Sequence, residues 1–178
     1  MLTALLLAAA VPTAPACRIE QAVYRLKGDA RFTAGFARQD RRDSGVSDLV
    51  LWLNTPKRTY WFAFAAPNGY GGTYLTPDLD PRISVRLSDD EERAAADRMQ
   101  PPDPLGLEFD AFRADLTAFQ APPQSSDKPP ALLFARGLGP ALWYGPSTLA
   151  GNDSAAGQEG MPIGLFVAAG CGGPPARK

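Results

Sequence analysis

The sequence predicts a mostly β protein: a single antiparallel β sandwich or barrel with one short surface helix. Three observations point there. The first is a period-two hairpin near the start of the chain. The second is a run of about eight to ten short apolar segments at close spacing, the pattern of sandwiches and barrels. The third is one strongly polar segment that opens on a helix capping box.

The hairpin comes first. Over 22–27, Ala22, Tyr24 and Leu26 alternate with Val23, Arg25 and Lys27. Gly28 and Asp29 make a turn, and Phe32, Ala34 and Phe36 then alternate up to Arg38. Successive strand side chains point to opposite faces, so two such arms around a glycine turn read as paired strands. Residues 39–47 are polar and read as an exposed loop. The runs 48–54 and 58–66 flank the turn residues Asn54, Thr55, Pro56 and Lys57. Both are apolar on both faces, which suits central strands covered on each side. A glycine-rich turn leads to a short strand over 73–76. Ile83, Val85 and Leu87, alternating with Ser84 and Arg86, predict another.

The helix is expected at 89–99. Ser88 and Glu91 have capping-box spacing, Asp89 and Asp90 suit the positive end of the helix dipole, and Pro101, Pro102 and Pro104 follow it. Residues 105–119 fit either periodicity, and the surrounding strands favour strand. After a Pro/Ser-rich loop over 121–130, the segments 132–135 and 141–144 flank Gly137, Leu138, Gly139 and Pro140 and read as a further hairpin. Residues 145–160 look like loop, and 163–169 like a last strand leading into Cys171.

The chain begins MLTALLLAAAV, without a charged side chain, and continues through Ala14, Pro15 and Ala16 to Cys17. A short apolar run ending at an Ala-x-Ala site is the pattern of a cleavable export signal, although the usual Lys or Arg ahead of it is missing. The run is about half the 20 apolar residues a membrane helix needs. Residues 1–16 are therefore expected to be a signal peptide and 17–178 one β-rich domain with no transmembrane helix, located in the periplasm or outside the cell.

The only other cysteine is Cys171. In an exported chain, Cys17 and Cys171 are expected to form a disulfide tying the two ends together. Two alternatives stay open. Cys17 is also where a bacterial lipoprotein would carry its lipid anchor, but the three residues before it, Ala14, Pro15 and Ala16, lack the expected leucine and Pro15 fits poorly. Free thiols would fit only a reducing compartment. Arginine far outnumbers lysine, and alanine and proline are abundant, which matches a GC-rich bacterial genome.

Composition excludes several functions. The net charge is −1, from 18 basic and 19 acidic side chains, so there is no general attraction for nucleic acid. There is no histidine. That removes Ser-His-Asp and Cys-His machinery and HExxH zinc sites, and no metal or cofactor is expected. Paired carboxylates remain: Asp78 with Asp80 in a proline-bracketed bend, and Glu108 with Asp110. They suit a carboxylate-dependent hydrolase acting on envelope glycans. Asp78 and Asp80 lack the further acidic and glycine positions of a calcium loop.

The densest feature is aromatic: Trp52, Tyr60, Trp61, Phe62, Phe64, Tyr70 and Tyr74. Alternation puts Tyr60, Phe62 and Phe64 on one face and Trp61 on the other. Trp61, Tyr70 and Tyr74 are the candidate ligand-binding residues, against the simpler reading that both faces are buried. The expectation is an exported bacterial envelope protein, a non-enzymatic binding or structural β domain whose partner is a small ligand or another envelope protein.

Overall fold

Eight strands pair in chain order, every neighbour antiparallel, and the last strand returns to the first to close a barrel. They are β1 (Ala22–Leu26), β2 (Asp29–Arg38), β3 (Leu49–Asn54), β4 (Thr59–Ala65), β5 (Thr73–Pro77), β6 (Glu108–Phe112), β7 (Leu132–Arg136) and β8 (Phe166–Cys171). The computed structural model describes residues 13–39, 46–66, 72–99, 106–151 and 153–176. Most of the expected signal peptide, and Tyr70, lie outside the described residues.

Closure resolves the choice between sandwich and barrel. Among the described strands it also removes every free sheet edge, which would otherwise invite pairing with other chains. Alternation then sorts the side chains. Tyr24, Phe36, Leu51, Phe62 and Phe109 belong to one buried cluster inside the barrel. An eight-stranded barrel is just wide enough for side chains to fill or for one small ligand to enter. Here aromatic rings fill it. Phe36 lies 5.9 Å from Tyr24, 6.3 Å from Phe64 and 6.4 Å from Phe109, measured between centroids.

The ends of the barrel are closed by short elements. Ile19, in a 3₁₀ turn (Ile19–Gln21) ahead of β1, is fully buried in the same cluster. At the other end, Leu138 and Leu142 of α3 (Leu138–Tyr144) and Leu149 of α4 (Pro146–Leu149) join it.

The outer wall has its own apolar row. Register places Val23 beside Gly35, Gly35 beside Trp52, and Trp52 beside Trp61. The Trp52 ring lies against Gly35, and its indole N–H donates to the Phe36 carbonyl at 3.2 Å. A Cβ at position 35 would sit 2.5 Å from both Trp52 Cζ2 and the Ala22 carbonyl oxygen. Only glycine lets the indole lie flat on the wall. Trp52 and Trp61 are both buried, so β3 and β4 are covered on both faces, as their continuous apolar runs predict.

The helix expected at 89–99 is α2 (Asp89–Met99), and its capping box is formed. The Ser88 hydroxyl and backbone N–H both donate to Glu91, at 2.8 and 2.9 Å. Three further short helices correct the sequence reading. The segment 83–87, expected as strand, instead follows and partly forms α1 (Pro81–Ser84). Pro81 presets the helical φ and Asp80 caps the turn by accepting from Arg82 N–H at 2.9 Å. The segment 141–144 belongs to α3, where burial falls on Leu138 and Leu142, four residues apart, and not on alternate residues. Part of 145–160 is α4, again with proline at the first turn. In 105–119 the strand reading holds for β6, after which the chain folds back so that Ala118 bridges Phe112.

Two buried tyrosines set a pH dependence. Burial pushes the Tyr24 phenol far above the ordinary range. Burial, with the neighbouring Glu159 carboxylate, pushes Tyr60 up to about 12. A tyrosine with a raised folded pKa contributes stability that is present below its unfolded value near 10. That stability is lost as pH rises toward the folded value, because the unfolded chain sheds the proton first. The unfolding free energy from urea denaturation is expected to fall above about pH 10, by up to roughly 1.4 kcal/mol per pH unit for each tyrosine. Tyr60→Phe should flatten that fall, and an unchanged slope in the variant would contradict it.

Candidate functional site

Buried side chains pack the lumen, and two clefts lined by described residues lie outside the barrel. They run along the outer wall, flanking the segment from Asp78 through α1 to α2. One, of about 530 Å³, is bounded by the β3–β4 turn, the start of β4, and Ala95 and Met99 of α2. The other, of about 870 Å³, is bounded by the end of β2, the α1–α2 connection and Ala96 of α2. Both include Trp61 and Arg82. No side chain of α2 is buried, and the helix is tied to α1 by a hydrogen bond between Ser84 and Glu92.

Trp61 and Arg82 form the shared point. The guanidinium carbon of Arg82 stands 5.3 Å from the Trp61 ring centroid, a cation–π contact. Asp80 fixes the guanidinium through Nη2 at 2.7 Å and Nε at 2.9 Å, and this hydrogen-bonded pairing raises the Arg82 pKa above its already high ordinary value. The remaining arm, Nη1, donates to the Pro175 carbonyl at 2.9 Å. Asp80 thus caps α1 and orients Arg82 at once.

The first cleft is shaped by a second clip. Buried Glu159 accepts from the Thr55 hydroxyl at 2.7 Å, from Lys57 N–H at 3.3 Å and from the Tyr60 hydroxyl at 3.4 Å. Lys57 Nζ donates to the Gln158 carbonyl at 2.7 Å, and Arg58 pairs with Asp153 at 3.0 Å. The loop before β8 is thereby fastened to the β3–β4 turn.

Of the sequence-predicted binding residues, Trp61 sits at the junction of the two clefts but is itself buried, as the reading with both faces covered expected, with Arg82 over its ring. Tyr74 is half-buried on β5, paired with Ala65 and Glu108, and lines neither cleft. Three of the four predicted carboxylates, Asp78, Asp80 and Glu108, have structural partners. Buried Asp78 accepts from Leu79 N–H at 2.7 Å and Gln39 Nε2 at 3.3 Å, and Glu108 pairs across the sheet with Arg136 at 2.9 Å. Among the described residues no group of three or more Cys, Asp or Glu side chains is placed to hold a metal ion.

Sequence reasoning missed Arg82, because 83–87 read as a strand. The signal was present: an acidic residue directly before a proline marks a helix start. The Cys17–Cys171 pair is bonded, with Cα atoms 6.2 Å apart. No described helix is long and apolar enough to cross a membrane. Comparisons with known protein families, curated proteins and solved structures find no match.

Proposed function

We propose that this chain is an exported bacterial envelope protein that binds a partner, without catalysis, on the outer wall of its barrel at Trp61 and Arg82. The observation that carries this reading is that both clefts converge on these two residues while aromatic side chains fill the lumen. An amphipathic ring beside a fixed cation is a strong binding element, since aromatics and arginine dominate interface energetics. The Cys17–Cys171 bond is compatible with export, because such bonds persist in oxidising compartments. In this reading residues 1–16 are removed and the mature chain starts at Cys17.

Two measurements test it. Protein recovered from its native envelope should carry a copurifying partner by native mass spectrometry. Arg82→Ala should lower that recovery at least about 10-fold, as expected for loss of a hot-spot arginine. Arg31→Ala, which removes an ion pair with Asp29 outside both clefts, should not. Equal recovery by both variants would remove the site. The intact mass of the exported product should match a chain from Cys17 that gains two hydrogens on reduction. A lipid-sized increment on Cys17 would replace the soluble form with an anchored one.

A further inference from the structure

The chain after β8 leaves the barrel beside Val23, at one end of the apolar row, and reaches Arg82 at the other. Gly172 and Gly173 donate backbone N–H to the Gln21 carbonyl, at 2.7 and 3.1 Å. Gly173 has φ +81, which lets the chain turn there. A Cβ on Gly172 would lie 3.4 Å from Val23. Pro174 then lines the larger cleft with Trp61, and the Pro175 carbonyl takes the free arm of Arg82. The tail therefore leads from the β1 end of the row toward its β4 end. The disulfide at Cys171 tethers it there.

These contacts have the chemistry of proline-rich recognition. A Pro-Pro segment is pre-extended and loses little entropy on docking. It binds aromatic-lined grooves, with its carbonyls open to side-chain donors. Trp61 supplies the aromatic surface, Arg82 the donor, and Asp80 the group that holds the donor in place. Pro174 forms one wall of a cleft of about 870 Å³, which stays open beside it and is bounded further on by Ala37, Leu87 and Ala96.

Resting on the site proposed above, we infer that this groove recognises an extended proline-containing segment of a partner protein. Residues 172–175 are an internal occupant that the partner displaces. Covalent tethering gives the tail a millimolar effective concentration, so it competes with partners of modest affinity.

The experiment uses three proteins: the full chain, the chain ended after Gly173, and the full-length double variant Pro174→Ser with Pro175→Ser. The probe is an acetylated synthetic peptide of residues 172–176, and the readouts are calorimetry and tryptophan fluorescence in a W143F background. Expected are binding by the shortened chain or the double variant at least about 10-fold tighter than by the full chain, and loss of that binding on Arg82→Ala. A peptide with serine at both proline positions should not bind. If both altered proteins keep their circular dichroism yet bind no peptide at millimolar concentration, or bind as the full chain does, the inference falls. Arg82-dependent capture from the envelope would still stand in that case, which separates this failure from failure of the site itself.

Discussion

Truncating Phe36 to alanine is expected to lower stability by about 3–5 kcal/mol, the range for removing a buried phenylalanine and leaving its cavity. Phe36 is fully buried and its ring meets Tyr24 on β1, Phe64 on β4 and Phe109 on β6. The last contact spans strands that are not neighbours in the sheet, so the ring packs across the lumen. A closed wall limits relaxation: each strand is hydrogen-bonded on both sides, and no edge strand can swing inward to fill the void. The cost should therefore lie toward the upper end of the range, because cavity cost grows with the volume left unfilled. Phe36→Leu, which refills much of the space, should cost less than half as much. Urea denaturation with an unchanged m-value is the measurement. A loss below about 1 kcal/mol for the alanine variant would mean that the lumen is not a packed core, and would reopen it to a ligand.

The elements read most securely from sequence were those specified by local chemistry. The arms around Gly28 alternate because one face fills the lumen, and the box from Ser88 to Glu91 caps α2 through its own side chains. Closure was not readable, because it depends on β8 finding β1 across most of the chain. No local pattern encodes that partner. The segments 83–87 and 141–144 failed for a related reason. Over four or five residues, period two and period 3.6 are nearly indistinguishable, and the caps decide. Asp80 with Pro81 settled the first. For the second, Gly137 with φ +82 turns the chain into α3. At the site, alternation placed Trp61 on the face opposite Tyr60, Phe62 and Phe64, and the closed barrel makes that face the outer one, where Trp61 is nonetheless buried. Alternation could not reveal Arg82, which reaches Trp61 from α1, or the tail, which meets Gln21, Val23 and Arg82 only once the barrel has closed.

Breaking the Cys17–Cys171 bond should produce the other large effect, a loss of about 2–5 kcal/mol. The bond joins residues 154 apart. Chain-entropy reasoning for so long a loop gives about 4–5 kcal/mol of restraint on the unfolded state. In the native state that restraint acts on β8, the strand at one of the two joins held by the fewest pairs. β8 meets β7 through only two residue pairs, Leu132 with Val167 and Leu133 with Phe166, whereas it pairs with β1 at five positions from Phe166 to Cys171, broken by one bulge at Ala169. The seam between β1 and β8 therefore holds β8 in place, and Cys171 lies at its end, opposite Ala22. Cys17→Ser with Cys171→Ser should lower the urea midpoint. It should also raise hydrogen exchange first in β8 and at Gly172 and Gly173, whose amides bond Gln21. The order matters. If exchange rose uniformly across β2 to β4 instead, the bond would be acting on the unfolded chain alone, and the seam would be stable without it. Seam-first opening would link oxidation to the outer groove as well, since the strand that loosens is the one that carries the tail to Trp61 and Arg82.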